Sequence, residues 1–294
     1  MNLRNLKSVM ALLALTLAPL SVLAGGPVDE RWDIDSNAAI SIENIAGEIE
    51  IEGWDRNEAR LTGELGKSVD ELEIKATQSS LQINVLNKNE RNVDSTKLKL
   101  MVPHGASIIA SAVSADIGVS NLDNEKLTAT SVSGDVKVKA SSHRVSIESV
   151  SGDVEFGGQT ERISAESVSG DLVLSGISGE ITASAVSGDM VLRAGAIESA
   201  KLETVSGDIK VYGEVSAKGR LSGESMSGDV FIYLPASQSG LFKAQSFSGR
   251  IQSDYGSVEH AKHGPGSHLK HTSGGNGAEI RVESFSGDIK LKSD

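Results

Sequence analysis

Seven aspartates stand at a near-constant interval: Asp116, Asp135, Asp153, Asp171, Asp189, Asp208 and Asp229. All but the first close a Ser-Gly-Asp triplet; Asp116 closes Ser114-Ala115-Asp116. Carboxylates gathered in one row are hard oxygen donors, the ligand type that calcium selects. Glu148, Glu166, Glu203 and Glu224 form a second acidic row and add to the same field. Neighbouring charges ~5 Å apart repel by about 0.8 kcal/mol in water before salt screening. A wet surface tolerates that if each carboxylate also bonds its own turn. Turn chemistry accounts for the triplet without a metal. Glycine reaches positive φ at little steric cost, and Ser and Asp side chains bond nearby backbone amides. The Gly-Gly-x-Gly-x-Asp spacing of calcium-binding β-rolls is missing. The turn role is therefore the preferred reading, and no metal site is assigned to the row.

Four of the six histidines fall in "HAKHGPGSHLKH": His260, His263, His268 and His271. Imidazoles spaced by three residues around a Gly-Pro-Gly hinge are the pattern that zinc, copper or nickel uses. No cysteine exists, and no carboxylate completes a strong ligand spacing. A polar, glycine-rich loop also collects histidine without binding anything. No cofactor or metal is assigned here either. Catalysis finds little support. The chain has no Gly-x-Ser-x-Gly elbow, no phosphate loop and no His-Glu-x-x-His. Paired carboxylates on a β-helix can cut acidic polysaccharide, but such enzymes gather their acids into one local cluster. Here the acids are spread evenly. No catalytic residue is named, and the protein reads as a non-enzyme.

The elements that carry these residues follow from the repeat itself. Ser-Gly-Asp begins at Ser133, Ser151, Ser169, Ser187, Ser206, Ser227 and Ser286, with Ser248-Gly249-Arg250 a degenerate copy. From Ser114 the gaps are 19, 18, 18, 18, 19, 21, 21 and 38 residues. The last gap, twice 19, reads as one copy whose motif was lost to an insertion. The residue before each motif is always apolar: Val113, Val132, Val150, Val168, Val186, Val205, Met226, Phe247 and Phe285. Apolar residues also follow each Asp at once and again two positions on, as in Leu172/Leu174, and a third pair lies upstream, as in Ile163/Ala165. A spacing of two is one face of a β-strand. Each repeat thus holds two short strands and cannot bury its apolar face alone. Stacking on the next copy at ~4.8 Å per rung solves this. The expectation is an all-β fold, a β-solenoid (a single-stack β-helix) of 18–21-residue coils, with every one of these apolar series a core ladder. A β-propeller blade needs about 40 residues or more, so the repeats are too short for one.

Residues 25–107 are β-rich but less regular, and read as a capping section of the same body. The repeat region spans 108–294, with a Gly/His-rich loop at about 254–278. The charged C-terminal "KLKSD" is expected to blunt the far end of the stack. Trp32 and Trp54, both in the N-terminal section, read as packing residues rather than a ligand platform. With aromatics at 3% and no cysteine, the core must be Val, Ile, Leu and Ala, held without disulfides. Residues 1–24 read as a secretory signal: Arg4 and Lys7, then "VMALLALTLAPLSVLA", with cleavage after Ala24. The apolar run is too short for a membrane anchor. Losing Arg4 and Lys7 moves the formal net charge from −12 to −14. That charge argues against a nucleic-acid partner.

The segments "NIAGEIEIEGWD", "LKLMVP", the serial "SVSGDV" copies and the closing "ESFSGDIKLK" resemble the bacterial putative-adhesin family of β-strand repeat proteins. The resemblance runs from about Ala38 to Lys292. It implies a β-solenoid in the cell envelope or outside it, in a family of unknown function, and it supplies no catalytic residue. The expected role is that of an exported structural or interaction protein whose partner is an envelope protein or surface glycan, with self-association open. The alternative is a polysaccharide-binding or polysaccharide-degrading β-helix. The periplasm is the favoured compartment, with the cell surface and the medium as the other two.

Overall fold

A computed structural model describes residues 20–23, 25–87, 93–260, 266–274 and 277–294. Among the described residues every regular element is a strand. The segment read as a secretory signal lies outside them, apart from Leu20–Leu23, a strand antiparallel to Val69–Ala76.

The repeats form the expected parallel stack. Ser107–Ser131, Val136–Ser149, Val154–Ser167, Leu172–Ala185, Met190–Thr204 and Ile209–Ser225 pair in sequence, each parallel to the next. Val136, Val154, Leu172, Met190 and Ile209 share one register column, so each apolar side chain rests on its equivalent one coil away. Register shifts between Gly157 and Arg162, and at the matching positions of neighbouring coils, mark a corner between two straight segments. The Ser-Gly-Asp triplet forms the other corner. Inward positions carry Val, Ile, Leu and Ala, with Phe156 and Phe242 the largest side chains in the fully buried set. Burying each such side chain stabilises by about 1.5–3 kcal/mol. The regular spacing of small apolar residues therefore replaces a thick globular centre.

Both ends of the stack change from parallel to antiparallel pairing. At the N-terminal end, Ala39–Trp54 is parallel to Ser107–Ser131 on one side and to Ser80–Asn87 and Thr96–Pro103 on the other. Beyond these, Val69–Ala76 and Glu58–Leu65 run antiparallel, and Gly26–Asp33 lies on Glu58–Leu65.

The C-terminal end departs from the sequence reading. Ala278–Ser284 and Ile289–Ser293 do not form the last rung. They lie between Ile209–Ser225/Val230–Leu234 on one side and Gly240–Ser246/Ile251–Ser253 on the other. The chain makes its outer coil first, turns back along it, and inserts its final coil inside. Among its described residues the 38-residue gap holds no further parallel coil: Ser267–Ser273 runs antiparallel to Gly240–Ser246, and Asp288 follows Asp229 directly in the spatial column. The stretch read as a loop at 254–278 contains Ser267–Ser273, antiparallel to Gly240–Ser246, and Glu259–His260, antiparallel to it in turn. These strands, not "KLKSD", cover the outer rung. Tyr255 seals this end: its ring stacks on Phe242 at 4.4 Å, and its hydroxyl donates to the Leu234 carbonyl at 2.8 Å. Burial pushes the Tyr255 phenol up to about 12, so it stays protonated wherever that bond is needed.

Candidate functional site

The Ser-Gly-Asp corner works through three side-chain positions, one of which sequence reasoning missed. A buried serine three residues before the glycine accepts the glycine N–H through its hydroxyl in four copies, Ser246 to Gly249 among them. Ser131 does so for Gly134 at 2.9 Å, Ser149 for Gly152 at 3.0 Å and Ser167 for Gly170 at 2.9 Å. The signal was present in "SVSGD", whose first serine recurs in six copies: Ser131, Ser149, Ser167, Ser225, Ser246 and Ser284. Other rungs depart from it: Ala185 has no hydroxyl, Thr204 Oγ1 is buried without a partner, and Ser225 and Ser284 donate to the Gly207 and Gly228 carbonyls at 3.4 and 3.1 Å.

The glycines do not serve positive φ. None of the triplet glycines adopts it. Each instead lies against the backbone of the coil beneath. A Cβ on Gly152, Gly170 or Gly188 would come well within 3.0 Å of the carbonyl oxygen of the preceding triplet glycine. Ala115 is tolerated because it opens the column, where the register partner is Gly47.

Each aspartate bonds the next coil, not its own turn. Asp116 Oδ1 accepts the Asp135 N–H at 3.0 Å, Asp135 that of Asp153 at 2.9 Å, and Asp153 that of Asp171 at 2.9 Å. The relay continues through Asp171, Asp189, Asp208 and Asp229 to Asp288. It ends at Arg250, whose N–H and guanidinium both donate to Asp288, at 2.8 and 3.1 Å. The degenerate third residue now has a reason. Arg250 occupies the outermost rung of the column, where an Asp would have no further amide to accept, and its charge caps the acid row. The carboxylate is needed as an acceptor and not for its charge. We expect Asp171→Asn to leave stability within about 0.5 kcal/mol of the parent and Asp171→Ala to cost about 1 kcal/mol, read by urea denaturation.

The Arg250 amide, foremost, holds the Asp288 carboxyl below the usual carboxylate range. Hydrogen bonds from Lys137, Arg162 and Lys243 do the same for Glu155, Glu180 and Glu279. Depressed folded-state values contribute stability above the unfolded values, near 3.9 for Asp and 4.3 for Glu, and lose it as pH falls through the lower folded values. The urea midpoint should be level from pH 7 to about 5 and fall below about 4; a midpoint that rises on acidification contradicts this.

The largest departure from the sequence reading concerns the residues just before each triplet. The expectation placed them in the core. They lie outside. Val113, Val132, Val150, Val168, Val186, Val205, Met226, Phe247 and Phe285 are 43–58% exposed. The residue after each Asp, such as Val136, Val154 or Leu172, is at most 1% exposed in those three coils. The cause is the buried serine: strand alternation turns Ser167 inward, so Val168 must face out. The result is a nine-rung apolar ridge along the stack. In space it ends Met226, Phe285, Phe247, with the two rings stacked at 4.8 Å.

Acidic rows flank the ridge on both sides. Two residues before it on the same outward face stand Glu148, Glu166, Glu203, Glu224 and Glu283; across the corner stands the aspartate row. Lys201 and Arg281 pair with Glu203 and Glu283 at 2.9 and 2.7 Å. At the Met226/Phe285/Phe247 end, the ridge and the glutamate row border a shallow concavity that also takes in Val205 and Gln245.

The described histidines of this segment make separate contacts. His268 Nε2 sits 3.2 Å from Glu259, His260 Nδ1 sits 3.1 Å from Ser267 Oγ, and His271 packs where a Cβ on Gly256 would stand. His263 lies outside the described residues. Among the described residues no three His, Asp or Glu side chains are placed to hold a metal. Trp32 packs against the core, and Trp54 donates to the Glu58 carbonyl at 2.7 Å beneath the Arg56 guanidinium. Among the described residues no helix is long and apolar enough to cross a membrane.

The family model described as Toastrack DUF4097 matches residues 30–292. The chain belongs to this family. Solved structures match it at low identity. A putative adhesin from Bacteroides fragilis is 13% identical, with 90% of this chain and 96% of that one covered and a TM-score of 0.49. A putative adhesin from Parabacteroides merdae is 13% identical, with 92% and 99% covered and a TM-score of 0.33. A putative lipid binding protein from Parabacteroides distasonis is 11% identical, with 91% and 97% covered and a TM-score of 0.34. No functionally curated protein matches the chain. Membership in the Toastrack family agrees with the β-solenoid and the repeat seen here.

Proposed function

We propose that this Toastrack protein is an exported, non-enzymatic interaction protein of the cell envelope, whose solenoid is a rigid support for the exposed ridge. The ridge carries the reading. Nine apolar side chains aligned on one edge exceed what scattered surface hydrophobics explain, and contiguous exposed apolar patches mark interaction sites. Each ridge residue also follows a residue that must be buried, so the corner geometry holds the row in place. The acids stay spread along the rungs, as the corner relay requires, rather than gathered for general acid–base work. The signal segment, with cleavage after Ala24, and residues 25–107 as the cap of the stack, belong to the same reading.

Proximity labelling in living cells tests it. The parent protein should label a reproducible set of envelope neighbours. A variant with Val150, Val168 and Val186 all replaced by serine should fold normally and lose part of that set. An unchanged set would remove the ridge as a contact face. N-terminal sequencing of the purified protein should begin at Gly25.

A further inference from the structure

We infer that the ridge takes a cationic amphipathic helix, with the helix's apolar stripe on the valines and its lysines or arginines on the two acidic rows. This rests on the reading of the ridge as a contact face and names the chemistry of what it contacts. The argument is one of charge and shape. The ridge is apolar along its whole length, the aspartate row lines one flank up to Arg250, and glutamates stand on the other at five of nine rungs, so the complementary ligand is apolar in the middle and basic on each side. Around Val150 and Val168 the glutamates Glu148 and Glu166 and the aspartates Asp153 and Asp171 stand with no lysine or arginine ion pair among the described residues, so a basic ligand meets little competition there. Only one oxygen of each of these exposed aspartates serves the coil relay, which leaves the other to accept from a ligand.

Two other occupants fail on the same ground. A second copy laid ridge to ridge would set acidic rows against acidic rows. An anionic lipid surface would meet the same repulsion. Length favours a helix. Eight rung intervals at ~4.8 Å span about 38 Å, the length of a helix of about 25 residues at 1.5 Å each. The shallow concavity beside Met226, Phe285 and Phe247 offers a seat where one bulky apolar side chain can anchor.

The test uses the protein as purified from its cells and three 25-residue synthetic peptides. One is a Leu/Lys helix with its leucines on one face. The second has the same residues in scrambled order, and the third is a Leu/Glu helix. Fluorescence anisotropy at low salt should show micromolar binding of the Leu/Lys helix, at least tenfold weaker binding of the scrambled peptide, and none of Leu/Glu. The Val150/Val168/Val186 serine variant should weaken binding of the Leu/Lys helix at least tenfold. E148Q/E166Q should weaken it several-fold and reduce its salt dependence. Equal binding of ordered and scrambled peptides would overturn the inference, as would undiminished binding by the ridge variant. Binding to phosphatidylglycerol vesicles in preference to the Leu/Lys helix would also overturn it, in favour of a lipid surface. If the ridge variant loses cellular neighbours while no peptide binds, the ridge survives as a contact face and the cationic-helix inference falls. If the variant loses no neighbours, the underlying reading falls first.

Discussion

Gly170→Ala should cost at least about 3 kcal/mol or prevent folding altogether. The new Cβ would overlap the Gly152 carbonyl oxygen, and both partners of that clash are backbone. A flexible side chain can swing away from an intruding methyl; two stacked backbones cannot separate without breaking the bonds between them. Those bonds lie on either side of the clash. Ser169 N–H donates to the Val150 carbonyl at 2.9 Å, and Asp171 N–H to Asp153 Oδ1 at 2.9 Å. Overpacking in ordinary cores costs about 1–3 kcal/mol, and this position adds broken inter-coil bonds. Urea denaturation of Gly170→Ala beside Gly157→Ala makes the comparison, because a Cβ on Gly157 meets only Ser175 Oγ at 3.6 Å. Equal midpoints for the two variants would show that close coil approach is not what the triplet glycine serves.

The second large effect separates two apolar series that look alike in sequence. Leu172→Ala should cost about 3 kcal/mol, in the range of large-to-small changes in packed cores. Val168→Ala, four residues earlier, should stay within about 0.5 kcal/mol, because its side chain is 45% exposed. Thermal or urea unfolding of the two single variants decides it. A comparable loss from both would mean that the ridge is packed in solution, and would take away the exposed face on which the interaction reading stands.

Much of the fold is legible in the sequence. The two-residue spacing in Leu172/Leu174 and Ile181/Ala183 marks inward faces, and all four side chains are buried. The near-constant interval gave the coil length, and in-register pairing follows from it. The ridge was misjudged because apolar character was equated with burial. Val168 sits beside Ser167, and whichever of the two points inward fixes the other. Hydrophobicity favoured the valine, whereas the hydrogen bond to the Gly170 N–H favours the serine. A buried amide left without an acceptor costs about 1–3 kcal/mol, which can outweigh one valine's partial burial. The aspartate relay was hidden for a related reason. A turn-forming Asp and an Asp that bonds across coils look the same in one dimension. Arg250 was the one clue, since a column ending in a donor needs no further acceptor. The placement of the last coil inside the stack had no local signal at all. Ala278–Ser284 reads like any other repeat strand, and only its register with Arg220–Ser225 reveals the insertion.

That insertion sets an order on how the molecule can assemble. A solenoid whose rungs follow the chain can zip from its first coil as the chain emerges. Here Gly240–Ser253 cannot take its final place until residues 278–293 exist to lie beneath it. The last rungs therefore close only after residues 278–293 have been made, across a sequence separation of 59 residues between the Asp229 and Asp288 partners. Contacts of that range pay their loop-closure entropy before any pairing rewards it. Loss of the final coil by truncation would not shorten the stack by one rung. It would leave a vacancy within it, with the outer coil and its hairpin stranded from the coils they complete.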